Sequence, residues 1–377
     1  MPTISMITIG LQLGMAWPLM SLFLAGRGMG EEQIGLVAAC SAIAPLMLWP
    51  FFTSFFRRFG AIGTIMIGGA LAVAGLFWAY HAGTGWGAYG ARFVIGAGQT
   101  LHWVAAEAWV NHIPRERERG RAISAYSLSW GIGLLMGPQI LAWSGTEGIR
   151  PFMIAAIATS LPLLPVLFTP RGLVPNLMPE ASGLADAGLA RIRRLFMLAP
   201  LVFITAIVAG ASEGHMFRLL VLYRVAHDFV THAINLNPPR FGQGGALAIL
   251  LAGWAADRMG RRHLLTVPAV LALLSCLAIP LLLETPALLC PMIVLMGGSV
   301  TALYAVGLIS LGSAFKRADL TPANGIFVVA YTVGSTIGPI LGGVAIEHVP
   351  PHGLMLSVAS LMVVMLLARA GLAVFRA

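Results

Sequence analysis

The sequence predicts an all-α integral membrane protein with twelve transmembrane helices in two pseudo-symmetric six-helix bundles. Hydrophobic residues make up 58% of the 377 positions and charged residues only 10%, whereas soluble domains carry about 25% charged residues. The apolar residues are grouped in segments of about 20, the length that crosses the hydrocarbon core of a bilayer. Glycines and a glycine-proline pair recur 200 or 201 residues apart, which predicts two related halves.

Each half contains six apolar segments. In the first half they are residues 3–25, 33–53, 62–82, 86–110, 122–144 and 151–169. In the second half they are residues 196–223, a weaker span at 234–255, then 264–283, 287–313, 322–346 and 353–374. A polar connector with proline and glycine separates the halves. We therefore expect an N-terminal bundle at 1–169, a cytoplasmic linker at 170–194 and a C-terminal bundle at 195–377.

The basic residues predict the orientation of these spans. The net charge of +9 would indicate nucleic-acid binding in a soluble protein, but here the arginines lie in short loops between apolar segments. With the N-terminus inside, the inner side holds Arg57, Arg58, Arg115, Arg117, Arg119, Arg121, Arg171, Arg191, Arg193, Arg194, Arg258, Arg261, Arg262, Lys316, Arg317, Arg369 and Arg376. The outer loops hold only Arg27, Arg150, Arg224 and Arg240. Because cytoplasmic loops carry the excess of basic residues, we expect both termini in the cytoplasm and no nucleic-acid partner.

The repeat indicates the class of membrane protein. Its matched positions are Gly10 and Gly210, Gly14 and Gly214, Gly60 and Gly260, and Gly137-Pro138 and Gly338-Pro339. Repeated halves are typical of secondary transporters, which bind solute near the membrane midplane. Cys40, Cys276 and Cys290 have no metal-ligand or disulfide spacing, and no serine elbow or metal motif is present. We therefore expect neither an enzyme nor a metal or cofactor site.

One segment, Thr231–Gly244, does not suit a lipid-facing helix. It contains Asn235, Asn237, Pro238 and Pro239, although its neighbours keep the 200-residue register. Three interpretations remain open. The segment is a broken helix that lines a cavity, an outer loop followed by a short span, or a patch of altered reading frame.

The stretch Arg92–Pro138 is the most polar part of the predicted membrane region. An arginine or glutamate inside hydrocarbon costs about 2.5–3.5 kcal/mol on insertion scales, so the chain has a use for such residues. The candidates in the fourth span are Arg92, Gln99, His102 and Glu107. Gln99 is seven residues from Arg92 and is expected on the same helix face. Each has a structural alternative. Arg92 can form an interhelical ion pair, His102 can be a satisfied packing histidine, and Glu107 can pair with the Arg115–Arg121 loop.

The seventh span holds a second polar group. Glu213 and His215 are candidates for proton carriage, and Arg218 is a candidate partner for Glu213. Glu213 and Arg218 are five residues apart, so they are imperfectly aligned on one helix. Either of them can therefore pair with Arg92 or with a group on another helix instead.

Several motifs together resemble those of the major facilitator superfamily. The most specific is the loop from Gly253 to Arg262, which reads G-x-x-x-D-R-x-G-R-R. Arg92-x-x-x-Gly96-x-Gly98 resembles the fourth-helix arginine motif. Two segments resemble the glycine-proline motif of the fifth and eleventh helices: Gly133-x-x-x-Gly137-Pro138 and Gly334-x-x-x-Gly338-Pro339-x-x-Gly342-Gly343. Glu107-Ala108-Trp109-x-Asn111 is similar to a subgroup of largely uncharacterised bacterial members. The resemblance covers the chain except Arg224–Gly244.

The resemblance implies roles for these positions. A carboxylate at Asp257 can cap a neighbouring helix and pair with arginines, which makes the loop a candidate conformational latch. Its members are Gly253, Asp257, Arg258, Gly260, Arg261 and Arg262. The alternative is topology charge alone. The first half has Arg57 where the repeat predicts an acid, so any latch is asymmetric.

The glycine-proline segments are candidate pivots at the helix interfaces. They comprise Gly133, Gly137, Pro138, Gly334, Gly338 and Pro339. Glycines four residues apart let helices approach closely, and proline permits a kink. Static tight packing is the alternative. In this superfamily the first, fourth, seventh and tenth helices line the cavity, which adds weaker candidates at Gln12, Trp17, Ser299 and Tyr304.

The sequence thus predicts a secondary transporter of the bacterial cytoplasmic membrane. We expect it to carry a small organic solute by alternating access, with protons as the coupling ion and efflux as the preferred direction. Arg92 would also suit an organic anion. A monomer in the lipid bilayer is expected. The alternative is a non-transporting or inactivated protein damaged around residues 224–244.

Overall fold

The described part of the chain is helical throughout. The computed structural model describes residues 2–48, 51–111, 116–170, 189–226, 240–245, 247–248, 258, 265–315 and 317–374, and every regular element in these ranges is a helix. Long apolar segments adopt this form because, in lipid, each backbone N–H and C=O needs a partner within its own segment.

In the described residues up to 170, the structure has eight α-helices and two short irregular turns. They are α1 (Pro2–Leu11), a π-helical turn (Gln12–Ala16), α2 (Trp17–Ala25), α3 (Glu31–Leu48), α4 (Phe52–Ala82), α5 (Trp86–Asn111), α6 (Glu116–Ser144), α7 (Arg150–Ser160), a 3-10 turn (Leu161–Leu163) and α8 (Leu164–Leu167).

From Leu189 to Val374, the ranges that the structure describes include six further long α-helices. They are α9 (Leu189–Leu198), α10 (Pro200–Ala226), α11 (Thr266–Ala278) with a 3-10 turn (Ile279–Leu282), α12 (Pro286–Ala314), α13 (Arg317–His348) and α14 (Gly353–Val374). Residues 240–245 and 247–248 are also helical.

The predicted multi-pass membrane fold is confirmed. Within the described ranges, eight helices are long and apolar enough to cross a membrane: Thr3–Ala25, Glu31–Leu48, Ser54–Ala82, Arg150–Leu167, Pro200–Tyr223, Pro286–Ala314, Pro322–His348 and Gly353–Gly371. The helices α5 and α6 are 26 and 29 residues long but are not among these eight. The predicted eighth span lies mostly outside the described residues, so the number twelve stays a prediction.

One predicted span boundary differs from the structure. The second span was expected to reach residue 53, but α3 ends at Leu48 and a new helix begins at Phe52. This helix bends at Gly60, whose φ of 65° is in the left-handed region that favours glycine. The helix α9 begins at Leu189, inside the predicted linker; residues 171–188 lie outside the described residues, so the division into two bundles and a linker stays a prediction.

The chain divides into two compact units. One contains Met1–Gly30 and Leu36–Ala181, and the other contains Glu31–Gly35 and Ser182–Ala377. In the second unit, a buried core forms where α9, α10, α12 and α13 pack together, around Leu195, Phe203, Leu311 and Phe327.

Each unit contains the same glycine-mediated helix contact. In the first unit, a Cβ added to Gly133 would overlap the backbone of α1 at Ile7, and one added to Gly10 would overlap α6 at Trp130. In the second unit, a Cβ at Gly334 would overlap α10 at Ile207, and one at Gly210 would overlap α13. The pairs that recur in sequence therefore mark equivalent close approaches of helix backbones.

The unusual segment before residue 244 is described only at its end. Residues 227–239 lie outside the described residues, whereas Phe241 is buried and its ring meets Phe217 edge to face at 5.1 Å. A Cβ on Gly244 would overlap the backbone of α12 at Val294. Residues 240–245 are thus helical and pack within the second unit, and the three interpretations of the preceding residues stay open.

Candidate functional site

The first unit contains a buried polar group around Arg92. The Arg92 side chain is only 1% exposed, and its guanidinium carbon lies 5.3 Å from the ring centroid of Trp17. The Trp17 indole N–H donates a hydrogen bond of 3.2 Å to Oε1 of Gln99. Arg92 and Gln99 are seven residues apart and share one face of α5, as predicted. We call Gln12, Trp17, Arg92 and Gln99 the Arg92 cluster.

The π-helical turn in the first helix brings Gln12 into this cluster. The backbone N–H of Trp17 donates to the carbonyl oxygen of Gln12, five residues earlier, so the two residues lie one wide turn apart. Such turns are frequent at functional sites. Oε1 of Gln12 and Nε2 of Gln99 are buried with no hydrogen-bond partner among the described residues. Both atoms are available to a polar group of a solute.

His102 lies one further turn along α5 and has a mainly structural environment. It is buried, and its Nε2 lies 3.0 Å from Oγ of Ser5 on α1. Gly68 leaves room for it, because a Cβ there would lie 2.8 Å from the backbone N of His102. These contacts support the packing alternative over a proton shuttle.

The second unit contains a polar group around Glu213. The Tyr331 hydroxyl of α13 donates a hydrogen bond to Oε2 of Glu213, and the Thr301 side chain of α12 lies close to this carboxylate. Arg218 interacts electrostatically with Glu213 and with Tyr331. Three helices therefore converge on one carboxylate in the middle of an apolar span. We call Glu213, Arg218, Thr301 and Tyr331 the Glu213 cluster.

The Glu213 cluster is open to its surroundings on one side. Arg218 is buried, whereas Glu213, Thr301 and Tyr331 are each partly exposed. Tyr304, a weaker candidate from the sequence, extends the cluster, since its ring meets that of Tyr331 at 4.9 Å in an edge-to-face geometry. The carboxylate is therefore not fully enclosed by the side chains around it.

His215 holds two helices together and does not join the Glu213 cluster. Its ring nitrogens lie 2.7 Å from the carbonyl oxygen of Ala211 and 2.7 Å from Oγ of Ser357 on α14. The side chain is fully buried, and a Cβ on Gly342 would lie 2.6 Å from its Cδ2. With both nitrogens engaged, this histidine is placed to fasten α14 to α10.

Glu107 lies at the other end of α5 from Arg92. It is exposed, and the indole of Trp103, one turn earlier, is within hydrogen-bonding reach of its carboxylate. Tyr126 on α6 lies within electrostatic range of it. The expected pairing with the Arg115–Arg121 loop involves side chains outside the described residues.

Most of the candidate latch also lies outside the described residues. This applies to Gly253, Asp257, Gly260, Arg261 and Arg262. Arg258 is described, and it is helical and exposed. The latch therefore remains a prediction from the sequence motif.

The candidate pivots pack within their own units. Gly133 faces α1 and Gly137 faces the π-helical turn that follows it, whereas Gly334 and Gly338 face α10. Pro138 and Pro339 lie inside continuous helices, and their Cδ atoms are 3.0 and 3.1 Å from the Cβ positions of Gly14 and Gly214. These contacts support the static-packing alternative, and a pivot role stays a prediction.

Sequence reasoning missed Tyr331 and Thr301. A signal for Tyr331 was present, because both it and Glu213 lie near a glycine of the repeat. Tyr331 lies three residues before Gly334, and Glu213 lies directly before Gly214. Since these glycines belong to the repeated helix contact, their polar neighbours meet where α10 and α13 touch. Among the described residues, no three His, Cys, Asp or Glu side chains come together as a metal site.

Comparison with known proteins identifies the family. The family model of the Major Facilitator Superfamily matches residues 3–239 and 231–376. An uncharacterized MFS-type transporter of Bacillus subtilis, YfkF, is 24% identical over 338 residues, which is 89% of this chain and 85% of that protein. The uncharacterized MFS-type transporter YcaD of Escherichia coli is 24% identical over 363 residues, covering 94% of this chain and 91% of YcaD.

Solved structures show the same fold. The nucleoside transporter NupG superposes with a TM-score of 0.80 at 16% identity, covering 98% of this chain and 97% of NupG. The D-xylose-proton symporter superposes with a TM-score of 0.73 at 16% identity, covering 98% and 95%. Helical architecture, repeated glycine contacts and family match agree, and the chain belongs to the major facilitator superfamily of membrane transporters.

Proposed function

We propose that this protein is a proton-coupled secondary transporter that moves a small organic solute across the bacterial cytoplasmic membrane by alternating access. Efflux is the preferred direction. The observation that carries the proposal is the Glu213 cluster. It contains a partly exposed carboxylate in the middle of an apolar span, which accepts a hydrogen bond from Tyr331 and has Thr301 and Arg218 nearby. Ionisable residues inside membrane spans commonly mark proton or solute pathways.

The chemistry of the cluster suits proton exchange. Glu213 can carry a proton and become neutral, while Arg218 and the hydroxyl of Tyr331 stabilise its ionised form. The two forms differ by one charge at a place where charge is costly. A conformational change that alters the surroundings of Glu213 is therefore linked to taking up or releasing a proton.

We assign solute contact to the Arg92 cluster. Its buried guanidinium lies over the Trp17 ring, and the amides of Gln12 and Gln99 each leave one polar atom without a hydrogen-bond partner among the described residues. Buried polar groups are normally satisfied, so these two atoms are suited to hydrogen bonds with a bound solute. The proposal also includes an N-terminal bundle at 1–169 and a C-terminal bundle at 195–377. We propose that both termini are in the cytoplasm and that the protein is a monomer.

Replacing Glu213 by glutamine tests the proposal. The change removes the titrating group but keeps the shape, and Glu284→Gln is a matched control at an exposed position outside the cluster. Proteoliposomes with an imposed pH gradient are screened with labelled organic cations, anions and neutral solutes. We expect gradient-driven flux of at least one class in wild type and in Glu284→Gln, and loss of its pH dependence in Glu213→Gln. Unchanged pH dependence would remove Glu213 from the mechanism.

The second candidate function is a non-transporting membrane protein. It rests on Arg57, which stands where the repeat predicts an acid, and on the unusual composition of residues 231–239. Resequencing the coding region and translating residues 224–244 in all three frames tests it. An apolar, helix-like segment in another frame would favour damage.

A further inference from the structure

A group of four side chains in the first unit is not used by the proposed coupling mechanism. Trp103 and Glu107 are four residues apart on α5, and Tyr126 and Trp130 are four residues apart on α6, so each pair occupies one face of its helix. The two faces meet, because the ring centroids of Trp103 and Trp130 are 6.4 Å apart with an interplanar angle of 62°. We call these four residues the Glu107 cluster.

The polar atoms of this cluster are arranged around an open carboxylate. The hydroxyl of Tyr126 and the indole nitrogen of Trp130 are buried, with no hydrogen-bond partner among the described residues. Trp103 is 36% exposed and Glu107 is exposed. The carboxylate and the Trp103 ring are thus accessible to a ligand, and the buried polar atoms of Tyr126 and Trp130 belong to the helix face that Trp103 contacts.

This combination favours a positively charged ligand. The faces of aromatic rings carry negative electrostatic potential and attract cations within about 6 Å of their centroids. A carboxylate beside them adds a full negative charge. The aromatic rings and the carboxylate would both repel an anion. The Glu107 cluster therefore disfavours organic anions, the class of ligand that the Arg92 guanidinium would suit.

We propose that the Glu107 cluster is a binding site for organic monocations with an aromatic or bulky apolar body, such as quaternary ammonium or phosphonium compounds. The tryptophan rings contact the apolar body and the Glu107 carboxylate pairs with the charge. The inference concerns binding at this cluster and is separate from the solute contact assigned to the Arg92 cluster. Binding itself requires only the first unit's geometry.

A pair of probes of equal shape and opposite charge tests the site. Equilibrium dialysis of the purified full-length protein measures binding of labelled tetraphenylphosphonium, and tetraphenylborate serves as the anionic counterpart. We expect saturable tetraphenylphosphonium binding that other organic cations displace and no saturable tetraphenylborate binding. Equal binding of both probes would show a merely hydrophobic surface and overturn the proposal.

Substitutions locate the binding. Glu107→Gln keeps the shape of the side chain but removes its charge, and we expect affinity for tetraphenylphosphonium to fall about tenfold. Glu107→Asp keeps the charge and should retain most of the binding. Trp86→Phe replaces a tryptophan that is 87% exposed and lies at the start of α5, and it should change nothing. Unaltered affinity in a folded Glu107→Gln variant would refute the site.

A further variant separates this inference from the proposed function. Glu213→Gln is expected to abolish the pH dependence of flux while leaving tetraphenylphosphonium affinity unchanged. Loss of coupling in Glu213→Gln with normal binding in Glu107→Gln would refute the cation site alone. Weak binding in Glu107→Gln with normal coupling in Glu213→Gln would refute the proposed coupling alone.

Discussion

Replacing Gly133 by alanine tests whether the matched glycine contacts stabilise each unit. A Cβ at this position would overlap the carbonyl oxygen of Ile7 and would lie 2.8 Å from the backbone N of Leu11. Backbone atoms cannot rotate away as a side chain can, so α1 and α6 would have to separate. Overpacking of this kind costs about 1–3 kcal/mol, which exceeds the gain of up to about 1 kcal/mol from replacing a helical glycine by alanine.

Gly131→Ala is the matched control on the same helix. No atom lies within 4 Å of its Cβ position, so this variant gains helix propensity without a clash. Thermal unfolding of the purified protein in detergent should therefore show a lower midpoint for Gly133→Ala than for wild type, and an unchanged or higher midpoint for Gly131→Ala. Equal midpoints for the two variants would refute the argument from close approach.

The second unit provides an independent repetition of this experiment. A Cβ at Gly334 would overlap the carbonyl oxygen of Ile207, whereas the Cβ position of Gly312 has no neighbour within 4 Å. We expect Gly334→Ala to lower the unfolding midpoint and Gly312→Ala to leave it unchanged. A response in one unit but not in the other would contradict the structural equivalence of the two contacts.

The remaining predictions concern side-chain contacts. Tyr331→Phe removes a hydrogen bond to a carboxylate, worth about 1.5–3 kcal/mol, so the pH dependence of transport should shift while the protein stays folded; an identical profile would exclude Tyr331 from coupling. His215→Ala should lower the unfolding midpoint, because it removes the hydrogen bond to Ser357 and creates a cavity, at a cost of about 2 kcal/mol or more. A transport defect without destabilisation would contradict the proposed role of His215 in fastening α14 to α10. Arg191→Ala removes a 3.0 Å ion pair with Asp319 whose side chains are 43% and 27% exposed, so stability should change by less than about 1 kcal/mol; a larger loss would show that the pair fastens α9.

The fold could be predicted because membrane helices obey few rules. Apolar length and the backbone's need for internal hydrogen bonds determine where spans occur, and the glycine repeat indicated two related halves. The end of α3 at Leu48 and the bend of α4 at the left-handed residue Gly60 were not predicted, because such features depend on local backbone turns. Length and hydropathy carry no information on such a turn.

The candidate site was only partly predictable. Arg92 and Glu213 stood out because charge is rare inside an apolar span, and Gln99 followed from its spacing on α5. Tyr331, Thr301 and the aromatic partners of Glu107 did not stand out, because tyrosine, threonine and tryptophan are common in membrane helices and their importance depends on a partner from another helix. His215 is the opposite case, because it stood out in the sequence as a candidate proton carrier. In the structure its two ring nitrogens contact Ala211 and Ser357, which favours a packing role.

Proton release on solute binding tests the central claim most directly. A solute identified in the proteoliposome screen is added to weakly buffered, purified protein with a pH-sensitive dye. If solute and proton compete through Glu213, wild-type protein should release up to about one proton per solute bound, by thermodynamic linkage. Glu213→Gln should bind the solute and release none. Equal proton release by both proteins would contradict the proposed role of Glu213.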